Sequence, residues 1–215
     1  MKFFLLIAAT LMITIQASAQ VQWSVFAGPQ LTSASYAVLS VKQKTSYKPG
    51  FQLGMGLKVP FEGSLYFAPA IFYSLKGYKV DFTHFVYPPD IKATNNNTTF
   101  HTVELAALLQ YDFSTQPGHF YFKAGPSLDF QVFGKEKFDT LTGQVDRSIP
   151  FGYDKYGHYS ANMLLQLGYE LKNGFFVHGQ YTHGLANINN NDYGPSIRHR
   201  VFGISIGKFI CTSKN

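Results

Sequence analysis

The chain has 215 residues, of which 17% are aromatic and 14% charged, with 21 Phe, 14 Tyr and 19 Gly. Strand formers and bend formers outweigh the Ala, Leu, Glu and Lys mixture of long helices, which excludes a helical bundle as the main architecture. One cysteine, Cys211, rules out an intramolecular disulfide, and the formal charge of +6 is scattered rather than gathered, which argues against a nucleic-acid interface.

The N-terminus reads as a secretory leader. Lys2 precedes an apolar run from Phe3 to Ile15, and Ala17-Ser18-Ala19 offers the small residues of a cleavage site before Gln20. The run falls short of the roughly 20 apolar residues a helical span needs, and Gln16, Ser18, Gln20 and Gln22 follow at once. The predicted division is therefore a signal peptide over 1–19 and one β-barrel domain over 20–215.

Eight segments of alternating hydrophobicity follow the leader. The first, Val21 to Leu31, places Trp23 and Val25 on one face and Gln22 and Ser24 on the other. The second is the cleanest: Phe51, Leu53, Met55, Leu57 and Val59 alternate with Gln52, Gly54, Gly56 and Lys58 before Pro60 ends it. Phe61-Glu62-Gly63 turns into the third, whose apolar face runs through Leu65, Phe67, Pro69, Ile71, Tyr73 and Leu75. The fourth spans about Thr99 to Phe113, with Val103, Leu105, Ala107, Leu109 and Tyr111 opposite Glu104 and Gln110.

Parity switches in the fifth segment, where Phe120, Phe122, Ala124, Leu128, Phe130 and Val132 alternate with Tyr121, Lys123, Ser127, Asp129 and Gln131. The sixth, Tyr159 to Lys172, sets Met163, Leu165, Leu167, Tyr169 and Leu171 against Asn162, Gln166 and Glu170. Asn173-Gly174 is a hairpin signal leading to the seventh segment, Phe175 to Asn187. Ile197 to Phe209 is the eighth, with Phe202, Ile204 and Ile206 on its apolar face.

Long polar connections join segments one to two, three to four, five to six and seven to eight, and short turns make the rest. That asymmetry predicts an all-β, eight-stranded antiparallel transmembrane β-barrel of the outer membrane, with both termini and the short turns in the periplasm. The exposed loops are expected within Tyr36 to Lys44, Val86 to Asn97, Lys135 to Tyr156 and Asn189 to Ser196. A soluble lipocalin-like barrel would put its apolar face inward, and the polar face here is a poor lining for such a cup. Lys58, Glu104, Lys123, Asp129, Glu170, His178 and Gln180 are therefore predicted to form a lumenal polar network, its charges paired inside, with Lys123 and Glu104 as one candidate pair. Tyr73, Tyr111, Tyr159, Tyr169 and Phe175 fit aromatic girdles at the membrane surfaces.

The stretches Leu65-Tyr66-Phe67-Ala68-Pro69, Ser74-Leu75-Lys76-Gly77-Tyr78, Phe120 to Ser127 and Gln180 to Asn187 resemble the PorT-like outer-membrane β-barrel family of the Bacteroidetes type, within the wider OmpA-like eight-stranded group. The resemblance implies a barrel over the whole mature chain and, for one member, a part in protein secretion and gliding. At Gln180 the family usually has an inward Arg, and a terminal aromatic usually ends such barrels, whereas here Phe209 is followed by six more residues.

The one enzymatic lead is His158-Tyr159-Ser160, similar to the His-x-Ser element of lipid A deacylases. A hydrolase needs His158 as base, Ser160 as nucleophile and a carboxylate to orient the imidazole. Glu170 lies ten residues along the same strand, about 33 Å from Ser160, and cannot serve; Glu104 on another strand stays open. Metal spacing is not found: His178 and His183 differ in parity, and His199 stands between Arg198 and Arg200. The sequence thus predicts a monomeric, cofactor-free, non-enzymatic barrel that meets outer-membrane lipid along its wall. Through its loops it contacts adhesion, envelope or secretion partners.

Overall fold

The computed structural model describes residues 21–212, so the predicted leader lies outside the described residues. Thirteen β-strands make one sheet: β1 (Gln22–Val38), β2 (Val41–Lys42), β3 (Lys44–Ser46), β4 (Lys48–Glu62), β5 (Leu65–Phe67), β6 (Ala70–Asp81), β7 (Asn95–Ala106), β8 (Leu109–Asp112), β9 (His119–Thr140), β10 (Gly143–Ser148), β11 (Tyr159–Glu170), β12 (Phe175–Gly184) and β13 (Ser196–Thr212). The wall has eight positions, taken in order by β1, β4, β5 with β6, β7 with β8, β9, β11, β12 and β13. β13 pairs antiparallel with β1, which closes the ring and leaves the wall without a free edge.

Register fixes the width. From Ser24 the paired residues lead through Gly56, Ala70, Ala106, Ser127, Asn162 and Gly184, which packs against His199, the partner of Ala34. One circuit climbs 34 − 24 = 10 residues along β1. With strands about 4.8 Å apart and about 3.3 Å per residue, that shear tilts them by about 40° and sets a backbone radius of about 8 Å. Such a ring encloses only side chains.

The faces follow the predicted parity. Leu53 is 57% exposed and Gln52 fully buried, and Trp23, Leu105, Phe122, Leu167 and Ile204 likewise face out. Inside, one apolar cluster, including Phe26, Phe72, Tyr121, Leu164 and Phe176, fills the half nearer the short turns. A second, including Tyr36, Tyr78, Phe100, Tyr156 and Ile197, fills the half nearer the long loops. Polar side chains gather between these two clusters and at both ends of the barrel, including Glu136 and Asn96 at the loop end.

Several segments predicted as loop are sheet. β1 runs on to Val38, and β9 to Thr140 with β10 folded against it from Lys135. Along that extension Glu136 and Phe138 point inward, fully or almost fully buried, and Lys135 and Lys137 point out. The outward positions are polar there, so hydrophobic alternation fades although the pleat continues. Opposite His101 and Thr102 of β7, the extra residue Val132 makes a bulge in β9 that turns both Val132 and Phe133 outward and shifts the strand's parity.

Candidate functional site

At the turn-end mouth, β4, β8, β9 and β11 bring together Lys58, Asp112, His119 and Glu170. The Lys58 ammonium lies 2.7 Å from Asp112 Oδ2 and 2.9 Å from Glu170 Oε2, and it stands 4.6 Å from the Tyr66 ring centroid. His119 Nε2 is 3.1 Å from the same Asp112 oxygen, and its Nδ1 is 3.0 Å from the Gln116 carbonyl. A polar cleft of about 480 Å³ opens above the cluster, lined also by Gln22, Gln116 and Lys172. Donor atoms of Asp112, His119 and Glu170 lie within 4.8 Å of one another, a spacing a metal could use. The Lys58 ammonium lies against both carboxylates, so the protein's own cation already bridges them.

Midway along the barrel Lys76 of β6 donates to Glu104 Oε2 at 2.6 Å and to Asp129 Oδ1 and Oδ2 at 2.8 and 2.9 Å. The Ser127 hydroxyl donates to the other Glu104 oxygen. Glu104 and Asp129 are register partners on β7 and β9, which puts the carboxylates side by side under one ammonium. This corrects the expected Lys123–Glu104 pair. Lys123 pairs in register with Gln110, six residues or about 20 Å along β9 from Asp129, and its ammonium sits 5.0 Å from the Tyr121 ring centroid.

Between these charged groups lies a belt of amides. Gln52 and Gln180 exchange hydrogen bonds of 3.2 and 3.1 Å, Gln166 donates to Gln180 at 2.9 Å, and Gln52 donates to Ser205 at 2.8 Å. Gln180 is thus served by neutral partners. His178 faces inward, 3.3 Å from the Tyr121 hydroxyl and stacked on Phe176 at 5.9 Å. His199 is fully buried between Phe100 and Tyr78, while Arg198 and Arg200 point outward.

His158 and Ser160 do not meet. The imidazole is stacked on Phe151 at 4.8 Å, with Nδ1 3.2 Å from the Gln131 carbonyl. Ser160 is buried, its hydroxyl without a hydrogen-bond partner, in register with Asp129 on the inner face. Glu104, the remaining candidate carboxylate, is taken up by Lys76 and Ser127.

Three ionisable members of the network, Lys76, Asp112 and His119, are absent from the sequence prediction. The signal for two of them was present: Lys76 continues the even, inward face of the third segment one residue beyond Leu75, and Asp112 is two residues beyond Gln110 on the face already holding Glu104. His119 precedes the fifth segment, and only the closed geometry brings it to Asp112.

The loop end is capped. Glu136, fully buried, receives Arg147 Nε at 2.8 Å and the Tyr156 hydroxyl at 3.2 Å, and Arg147 also donates to the Pro89 carbonyl at 2.7 Å. Burial above all, then Tyr78 and Glu136, raises the Tyr156 phenol well above the usual tyrosine range, so it remains a donor.

A closed antiparallel ring, apolar outside and holding buried ion pairs and amides within, with short turns at one end and capped loops at the other, defines a transmembrane β-barrel. The family described as outer membrane protein beta-barrel domain matches residues 16–190, and the chain belongs to it. It is an outer-membrane β-barrel protein. No curated protein matches the chain in sequence. Among solved structures it is similar to the outer membrane protein OprG from Pseudomonas aeruginosa, at 12% identity and TM-score 0.50 over 89% of this chain and 97% of that one. Neisserial surface protein A is similar at 16% identity and TM-score 0.48, covering 87% of this chain and 97% of that one. The outer membrane enzyme PagL aligns at 12% identity and TM-score 0.48 over 87% and 99%. At these identities the likeness is one of fold.

Proposed function

We propose that the protein is a monomeric, non-enzymatic surface barrel of the PorT-like kind, with its short turns in the periplasm and its loop end making the functional contact with adhesion, envelope or secretion partners. The carrying observation is the loop end itself. Its strands and loops are tied together by the buried cap around Glu136, yet large side chains stand free on top: Tyr193 is 96% exposed, Leu141 89%, Phe85 85% and Tyr153 82%. Aromatic groups presented on a braced surface lose water on docking without ordering a flexible chain, the character of an interface anchor. The unassembled His158 and Ser160 support the non-enzymatic reading.

A photo-reactive amino acid at Tyr193, Phe85 or Ser64, irradiated on intact cells, tests it. Discrete adducts are expected from positions 193 and 85 and none from 64, which lies in a short turn. Adducts from 64 alone, or from no position, would refute the reading.

A further inference from the structure

On four adjacent strands the outer wall changes from apolar to basic within a few residues. An aromatic row crosses β4, β6, β7 and β9, with ring centroids 5.5 Å apart from Phe51 to Tyr73, 6.0 Å from Tyr73 to His101 and 5.3 Å from His101 to Phe133. The Tyr73 hydroxyl and His101 Nδ1 lie 2.6 Å apart. On the turn side of this row the outward residues are Leu53, Ile71, Leu105 and Leu128. On the loop side come Lys135, in register with Thr99, and then Lys79, Asn97 and Lys137 in one row across three strands. Lys48 reaches into the same patch, its ammonium 2.6 Å from Asn97 Oδ1 and 2.8 Å from Thr99 Oγ1.

Register neighbours lie about 5 Å apart and alternate residues on a strand about 7 Å apart, so these lysines share a patch roughly 10 Å across. Their own acids, Asp81, Asp139 and Asp146, offset the four lysines only in part. Asp81 and Asp139 occupy the next row outward, and Asp139 is held by Asn95 and Gln144 at 2.8 Å each. Among the described residues the ion pair these lysines make is Lys137 to Asp146, at 3.9 Å with both side chains about half exposed. Like charges gathered so closely at a surface are stabilised by a bound anion.

We propose that Lys48, Lys79, Lys135 and Lys137, with Asn97 and Thr99, form a binding site for the phosphate of an anionic membrane lipid in the leaflet at the loop end. The aromatic row sets the depth, because such girdles mark the boundary between acyl chains and head groups. The lysines begin two residues beyond it, where head-group phosphates lie. Acyl chains would run down the wall over Tyr73 and Ile71. The site rests on the barrel's being membrane-embedded and is independent of what the loops contact.

The test uses the full barrel in neutral detergent, offered equal amounts of phosphatidylcholine and phosphatidylglycerol, with retained lipid read by native mass spectrometry. Wild type is expected to keep phosphatidylglycerol selectively. Lys79→Gln, Lys135→Gln and Lys137→Gln should lower that retention about five-fold for each lysine removed. The corresponding Lys→Arg variants should keep it, as should Lys208→Gln at the turn end. Heat-modifiable migration on a gel reports closure in every variant, and a single Lys79→Gln serves if the triple variant fails to close. Absence of selectivity in wild type, or its persistence in the triple Gln variant, overturns the proposal. So does loss of selectivity only in Arg198→Gln with Arg200→Gln, or displacement of the lipid by millimolar inorganic phosphate.

Discussion

Replacing Lys76 by Met would leave Glu104 and Asp129 side by side inside the barrel without the ammonium they share. Removing one partner of a buried ion pair costs about 3 to 5 kcal/mol, because the remaining charge stays desolvated. Lys123, whose ammonium lies over aromatic rings, should lose much less on the same change. Reversible urea unfolding in lipid vesicles compares the two, and adding Glu104→Gln and Asp129→Asn to Lys76→Met should restore most of the loss. A Lys123→Met cost equal to that of Lys76→Met would show the pairing to be wrong. The inward carboxylates were legible from parity alone, and so was Lys76 once the alternation is carried past Leu75. Which cation meets which anion was not, because partner choice depends on the stagger between strands, and a single strand's pattern carries no information about it.

Along a strand, substitutions should divide by face. Leu53→Arg puts a charge on the lipid side of β4 and should destabilise by about 2 to 4 kcal/mol if it lies near the bilayer midplane. Gln52→Ala, one residue away, gives up amide hydrogen bonds of about 1 kcal/mol each. Equal costs for Leu53→Arg and Gln52→Arg would invalidate the face assignment. The inner face of β11 has a tighter constraint at Gly168: a Cβ there would lie 2.4 Å from Tyr121 Cζ and 2.7 Å from the Val177 carbonyl oxygen. Gly168→Ala should therefore cost about 1 to 3 kcal/mol by displacing the Tyr121 ring, and the smaller Tyr121→Leu side chain should relieve part of it. The eight membrane segments could be read from sequence because lipid forces their outward residues to be apolar. The prolongation of β9 through Lys135 and Lys137 could not, since above the membrane nothing distinguishes an outward strand residue from a loop residue.

For the molecule as a whole, topology can be mapped in a Cys211→Ser background with single cysteines. Positions 141 and 193 should be labelled by a membrane-impermeant maleimide on intact cells, and positions 63 and 173 only after the outer membrane is opened. The reverse pattern would place the loop end in the periplasm.

The pairing of β1 with β13 also dictates the order of events in biogenesis. The first strand's permanent neighbour is made after every other strand of the wall, so no chain lacking it can complete the ring. Until residues near 200 arrive, every intermediate carries two unsatisfied strand margins and a greasy exterior, a combination that invites association with other chains. Closure also joins ends almost a whole chain apart, a slow, entropically costly step. Maturation must therefore wait until export is over, with the extended polypeptide shielded on its way to the membrane, and a product shortened by one strand would be a hazard to the envelope rather than a smaller version of the same protein.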